Sequence, residues 1–548
     1  MKIPGKIALT LCTFLLSHLL LTAGEVSLLI KQRYLNFPIS HTQERKRMTF
    51  QVDGEPNLSI VIRLAPDEAE YWVFKDVSAL KGKTLKITYE GNDKGLSQIC
   101  QTDEILDKES FYKEHNRPQF HFTSQRGWIN DPNGLIYYEG EYHLFYQHNP
   151  FERDWENMHW GHAVSKDLIH WTELPDALFP DHTGTMFSGS AVIDYHNTAG
   201  FNRGKTPAMV AAFTAASSDR QVQGIAYSLD RGRTFTKYAK NPVIDSKEKW
   251  NSVDTRDPKV FWYTPSKHWV MVLNERDGHS IYTSANLKDW KYESHITGFW
   301  ECPELFELPV DGDPRHLKWV MYGASGTYMT GSFNGKEFTP EAGKFCYTTG
   351  SIYAAQTFTN IPATDGRRIQ IGWGRINHPG MPFNGMMMLP TELTLRTTKD
   401  GIRLVSVPVR EAEALFTPIR TWHSLSSDEA NRQLAEFYKA DCLRIKTTIK
   451  LSHATDAGFN LFGQRIIGYD MNSTTLNGRF YSPQDPTSME LSADIYIDRT
   501  SIEVFIDGGL YSYSMERRPD NNNKEGFHFW GNRVEVKELK VYSVNSIW

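Results

Sequence analysis

Four short segments of one design recur through the middle of this 548-residue chain: Ser165-Lys-Asp-Leu-Ile-His-Trp171, Tyr227-Ser-Leu-Asp-Arg-Gly-Arg-Thr-Phe235, Tyr282-Thr-Ser-Ala-Asn-Leu-Lys-Asp-Trp290 and Ser332-Phe-Asn-Gly-Lys-Glu-Phe338. Each sets a polar turn just before an aromatic residue. Around them, from about 120 to 395, lie short apolar or aromatic runs such as Tyr142-His-Leu-Phe-Tyr146 and Trp269-Val-Met-Val-Leu273, punctuated by Gly, Asn, Asp and Pro as hairpin-linked strands are. The aromatics fall at 171, 235, 290 and 338, spacings of 64, 55 and 48. These are compatible with the roughly 40–50 residues of a four-stranded propeller blade once longer loops are allowed. A last blade over 350–395 brings the count to about five.

Three acidic signals share one phase of this repeat. Asp131, in Trp128-Ile-Asn-Asp-Pro-Asn-Gly134, lies 40 residues before Trp171; Asp257, in Arg256-Asp-Pro258, lies 33 before Trp290; Glu301, in Trp300-Glu-Cys-Pro-Glu304, lies 37 before Phe338. If the aromatics mark outer strands, these carboxylates fall near the innermost strands and converge on the central axis. Taken alone, Asp-Pro-Asn-Gly is commonest as a plain turn, with Asp131 presented at a strand end. An isolated Arg-Asp-Pro is commonest as a surface ion pair. The shared phase is what argues for one site.

The flanks are simpler. From about 425 to 548, alternation in Ala493-Asp-Ile-Tyr-Ile-Asp498 and Ser501-Ile-Glu-Val-Phe-Ile-Asp507 predicts a β-sandwich. The stretch 396–424, with Pro408 and Glu411-Ala-Glu-Ala-Leu415, reads as a connector with a short helix. Residues 25–110 read as a small accessory β domain. Lys2, Lys6 and the apolar run Ile7–Leu21 before Thr22-Ala-Gly24 form an export leader over 1–24, and no other stretch approaches membrane-spanning length. The expected mature protein is exported, periplasmic or extracellular, without stable membrane insertion.

Sixty basic against 65 acidic residues give a net charge of −5, which offers no footprint for nucleic acid. Of five cysteines, four remain beyond the leader, widely separated, so disulfides are not the framework. His143, His148, His159 and His162 crowd one region but lack zinc spacing, and no metal or cofactor is expected. With 15 Trp and 25 Tyr, aromatic faces are available both for a β core and for stacking on sugar rings.

Paired carboxylates suit glycosidic cleavage, in which one protonates the leaving oxygen and the other works from the opposite side of the ring. Glu301 is the candidate acid, on the expectation that Trp300 and Cys302-Pro303 surround it with apolar groups and raise its pKa. Asp131 is then the nucleophile. Arg256 is expected to hold Asp257 ionised, as a charge stabiliser.

These motifs, with Phe145-Tyr-Gln-His-Asn-Pro150, Met158-His-Trp-Gly-His-Ala163 and Phe187-Ser-Gly-Ser190, resemble glycoside hydrolase family 32, the invertase, inulinase and levanase family. Asp498-Arg-Thr-Ser-Ile-Glu-Val-Phe-Ile-Asp507 resembles its sandwich module. The resemblance covers 115–548. It implies an all-β protein: a five-bladed propeller over 115–395 with a funnel, then the sandwich, here preceded by the accessory domain. It also implies retention of configuration through a fructosyl intermediate on Asp131, with Glu301 as acid then base and Asp257 stabilising the transition state. Substrate-binding roles are implied for Trp128, Asn130, Gln147, Trp155, Phe187, Ser188 and Arg256, and no metal. The expected activity is release of terminal fructose from β-fructans (levan, inulin), or fructo-oligosaccharides, and also from sucrose. An endo-acting levanase, a fructosyltransferase and a catalytically inactive fructan-binding protein are the alternatives.

Overall fold

The computed structural model describes residues 24–54, 57–451, 456–485, 487–518 and 526–548. The expected leader therefore lies outside the described residues, apart from Gly24. Among the described residues no helix is long and apolar enough to cross a membrane. The described residues form two compact units, divided between Leu106 and Asp107.

The first unit carries a four-stranded antiparallel sheet, in the order Gly24–Leu29, Thr84–Tyr89, Lys46–Val52, Leu58–Ile62. A three-stranded sheet of Tyr71–Asp76, Tyr34–Ile39 and Cys100–Thr102 accompanies it. Phe37, Ile39, Met48, Ile62, Val73 and Ile87 are fully buried, so this unit has a core of its own.

The second unit opens with five antiparallel blades. From first strand to last they are Gly127–Tyr138, Glu141–Asn149, His159–Ser165, Trp171–Leu178; then Thr185–Asp194, Ala208–Ala216, Gln221–Ser228, Thr236–Lys237; then Thr255–Tyr263, His268–Glu275, Gly278–Ser284, Lys291–Thr297. Glu304–Val310, Asp313–Tyr322, Thr327–Phe333, Phe338–Cys346 make the fourth, and Ile352–Thr357, Arg368–Gly374, Thr391–Thr398, Gly401–Pro408 the fifth. The first strands of the first, second, third and fifth blades pack on one another, which makes them the inner ring. Phe383–Asn384 runs parallel to Gly127-Trp128 and adds a strand to the first blade.

The recurring aromatics do mark outer strands. Trp171 and Phe338 open the outermost strands of blades one and four, and Phe235 and Trp290 stand just before those of blades two and three. The turns of blades one and three share one mechanism. Asp167 Oδ1 accepts the N–H groups of Ile169 and His170 at 3.0 and 2.8 Å, and Asn286 Oδ1 those of Lys288 and Asp289 at 3.0 and 2.9 Å. Leu168 and Leu287, at φ 68° and 63°, turn the chain so that the next indole donates back to their carbonyls at 2.9 and 3.0 Å. The side chain replaces the backbone partners that a hairpin this tight leaves unpaired.

The sandwich pairs a seven-stranded sheet, which includes Glu490–Ile497 and Ser501–Ile506, with a five-stranded one around Asp456–Leu461 and Gln464–Asp470. Ile445, Phe459, Ile467, Ile495, Val504 and Leu539 fill the space between them. The stretch expected as a connector differs. Gly401–Pro408 is the last strand of blade five, Arg410–Leu415 is a 3-10 turn, and Phe416–Ser426 is an edge strand of the sandwich. The Asp400-Gly401 hairpin between Thr391–Thr398 and Gly401–Pro408 is the signal that Pro408 and the acidic run obscured.

Candidate active site

Four of the five inner strands break register at the same end of the ring: between Ile129 and Pro132, Phe187 and Gly189, Arg256 and Lys259, and Tyr353 and Gln356. A bulge leaves its extra residue outside the ladder and re-aims the side chain. The Asp-Pro-Asn-Gly stretch is therefore not a turn at a strand end. It lies wholly within Gly127–Tyr138, where the bulge accommodates Pro132, which has no N–H to give. Asp257 sits at φ 65°, with its own N–H donating to Thr214 Oγ1 at 3.0 Å. Glu301 and Cys302, at φ 51° and 41°, form a strained corner before the fourth inner strand, pinned by the Glu301 N–H on Asn274 Oδ1 at 2.8 Å.

These devices bring Asp131, Asp257 and Glu301 to one cavity of about 420 Å³. Asn130, Gln147, Trp155, Phe187, Ser188 and Arg256 line it too. Trp128 stands behind the wall: its indole donates to Asn130 Oδ1 at 2.8 Å and meets Trp373 edge-on at 5.7 Å. Ser188 Oγ donates to Asp131 Oδ2 at 2.7 Å, Asn130 Nδ2 to Asp131 Oδ1 at 3.1 Å, and Gln147 Nε2 to the Met186 carbonyl at 2.9 Å. Trp155 and Phe187 meet edge to face at 6.0 Å, with Trp155 47% exposed at the rim. Gln221, Asp254, Tyr353 and Trp373 complete the lining and were missed in the sequence. Only Trp373 had a signal, as the end of the strand-like run Ile369–Trp373.

The electrostatics differ from expectation in two respects. Burial pushes the Asp257 carboxyl up to about 7; Arg256 pulls the other way but is outweighed, and Asp131 and Glu301 add to the rise. The Arg256 guanidinium instead faces Glu301 Oε1 at 2.9 Å and Asp254 Oδ1 at 2.8 Å. Glu301 is also not walled by apolar groups. Tyr353 OH donates to its Oε2 at 2.5 Å, and Trp300, 43% exposed, lies against the Arg256 guanidinium. Burial, then Glu301, raises the Tyr353 phenol far out of its ordinary range, so it stays a donor. Burial also raises Asp131, against the lowering hydrogen bonds from Ser188 and Asn130.

Cys302 lies between two of the carboxylates, its N–H on Asp257 Oδ2 at 3.0 Å and its sulfur 3.6 Å from both Asp131 Oδ2 and Asp257 Oδ2. Burial and those charges push the thiol well up, so it remains protonated. Cys100, Cys302, Cys346 and Cys442 are all unpaired. Of the clustered histidines, His143 and His162 stack together, and burial drives both down, His143 to about 4. His148, against Asp176 at 2.7 Å, is raised to about 9 despite its burial. Among the described residues no group of His, Cys, Asp and Glu is placed to hold a metal ion.

Residues 121–408 match the family model described as the glycosyl hydrolases family 32 N-terminal domain, and residues 411–543 match the family 32 C-terminal model. A levanase of Bacillus subtilis is 40% identical over 492 residues, 80% of this chain and 72% of its own length. An extracellular exo-inulinase of Aspergillus niger is 34% identical over 521 residues, 80% of this chain and 96% of its own. The crystal structure of exo-inulinase from Aspergillus awamori superposes with a TM-score of 0.70 at 29% identity, covering 80% of this chain and 100% of that one.

Proposed function

From a chain that belongs to glycosyl hydrolase family 32, and is therefore a glycosidase, we propose an exported retaining β-fructosidase that removes terminal fructose from levan or inulin and also splits sucrose. The observation that carries this reading is the convergence of Asp131, Asp257 and Glu301 from blades one, three and four on one cavity of small-ligand size. The relatives named levanase and exo-inulinase support the substrate class, and the leader-like residues 1–24 support export.

In this mechanism Asp131 attacks the anomeric carbon of a terminal fructosyl unit as the bond to the leaving oxygen breaks, and Glu301 delivers its proton to that oxygen. Water then attacks the same carbon, Glu301 takes the proton, and the bond to Asp131 breaks, so configuration is retained. Ser188 and Asn130 hold the nucleophile by hydrogen bonds, while Arg256 and Tyr353 fix the acid. Asp257 faces the sugar hydroxyls, where hydrogen bonds tighten as the oxocarbenium-like charge develops.

Chromatography of products from levan, inulin and sucrose over time tests the reading, with Asp131→Asn and Glu301→Gln as controls. Fructose alone at the earliest times is expected, with both variants folded and slower by several orders of magnitude. An early ladder of oligosaccharides replaces exo with endo action. Near-normal rates in the variants overturn the mechanism.

A further inference from the structure

A second cavity, of about 860 Å³, lies at the opposite mouth of the propeller. It is built at the far ends of the inner strands, by Val192 and Ile193 and by Phe261–Tyr263, whereas the carboxylate site uses their near ends. A buried polar layer separates the two. Ser190 Oγ donates to the Pro258 carbonyl at 2.7 Å and accepts the Val260 N–H at 2.9 Å. Lys259 Nζ sits 2.7 Å from Glu304 and 2.7 Å from the Thr357 carbonyl.

The chemistry of this cavity is specific. Trp262, Tyr263, Trp319 and Tyr195, the last 58% exposed, put aromatic rings on its wall. The Arg368 guanidinium lies over the Phe306 ring at 4.9 Å, and its one hydrogen bond among the described residues is a 3.5 Å contact to the Phe358 carbonyl. Several of its five N–H donors are therefore unspent beside the cavity. Lys259 and Arg368 are balanced by Glu304 behind them and Glu307 at the rim, so the site has no net charge to attract a phosphate or a polyanion. A second hollow of about 660 Å³ adjoins it, and the partition is Tyr195 with Asn360, whose Nδ2 donates to the phenol oxygen at 3.1 Å. Balanced in charge, faced with aromatic rings and carrying spare donors, this mouth matches a run of neutral hydroxylated rings.

We propose that the lower mouth is a non-hydrolysing oligosaccharide-binding site that holds a second stretch of the polymeric substrate, a proposal that rests on the fructan reading above. Sugar C–H faces stack on the indole and phenol rings, and hydroxyls accept from Arg368. Holding one stretch of polymer raises the local concentration of chain ends at the catalytic mouth, so the benefit falls on polymer and not on sucrose.

Calorimetric titration of the Glu301→Gln protein with inulin oligosaccharides tests this, with and without Tyr195→Ala or Arg368→Gln. The expected result is that either added substitution removes one binding equivalent. In the active enzyme, Tyr195→Ala is expected to raise the KM for levan or inulin by about three- to tenfold, with sucrose kcat and KM unchanged. Should Arg368→Gln fail to fold, Tyr195→Ala decides, because that side chain is exposed. Unchanged stoichiometry and affinity in Tyr195→Ala overturn the proposal. A parent enzyme that hydrolyses neither fructan nor sucrose overturns the fructan reading instead, so the two failures are distinguishable.

Discussion

At the scale of single residues, the Glu301 carboxyl is governed by its partners. Tyr353 reaches Glu301 Oε2 at 2.5 Å and Arg256 reaches Oε1 at 2.9 Å, so the two oxygens are held from opposite sides. Tyr353→Phe keeps the ring and removes one hydrogen bond to the Glu301 carboxyl, a loss of about 1–3 kcal/mol. The expected outcome is kcat lower by about ten- to a hundredfold with KM little changed, read from steady-state kinetics on sucrose. Asp257 is governed by burial. Its folded pKa, about 7, stands above the ordinary 3.8, so its contribution to stability is fully present below 3.8 and is lost as pH rises through 7. Asp257→Asn is therefore expected to raise the melting temperature relative to the parent more at pH 8 than at pH 5, while activity falls. An equal change at both pH values would show that Asp257 ionises normally. The pairing of Arg256 with Glu301 rather than with its neighbour Asp257 is the part of this site that adjacency in sequence misrepresents, because a positive φ at Asp257 turns the two side chains to different places.

At the scale of elements, the bulged inner strand is the recurrent device. Phe187-Ser-Gly189 shows why it needs glycine. A Cβ on Gly189 would stand 1.9 Å from the Ala212 carbonyl oxygen across the ladder, and backbone cannot step aside as a flexible side chain does. Gly189→Ala is expected to cost about 3 kcal/mol or more and to displace Ser188 from Asp131, so thermal melting and kcat fall together. Normal stability in that variant would contradict the close approach. Blade identity was legible in the sequence because the polar-turn-plus-aromatic segment is local: Ser165, Asp167 and Trp171 make all its hydrogen bonds within seven residues. The bulges were not legible. A register shift is a relation between two strands, and Asp-Pro-Asn-Gly alone carries the same signal as a turn.

At the scale of the whole second unit, the sandwich is fastened to the propeller by a buried ionic cluster. Asp498 accepts the N–H groups of Gln119 and Phe120 at 2.8 and 3.1 Å, and His121 bridges Asp498 at 2.7 Å and Glu503 at 2.8 Å. Burial alone would lower His121, but the two carboxylates raise it to about 9. Its contribution to stability is thus fully present below 6.5 and lost as pH rises through 9. His121→Ala leaves two buried carboxylates without their cation, a loss of about 3–5 kcal/mol. The expected gap in melting temperature from the parent is widest at pH 6 and narrows above pH 9; a gap independent of pH would refute the ionic account. The same interface shows where reading a sequence stops. Alternation in Ser501–Ile506 was plain and correctly announced a sheet with one apolar face, yet all six residues are buried. Ile502, Val504 and Ile506 face the sandwich core, while Phe505 joins the propeller cluster and Glu503 takes His121. Period-two patterning, turn chemistry and the spacing of three carboxylates are local or repetitive, so the sequence alone determined an all-β propeller with its acidic residues on the inner ring. Which charges pair, which polar face is covered and what lies at the opposite mouth depend on groups tens to hundreds of residues apart, and only the tertiary structure decided them.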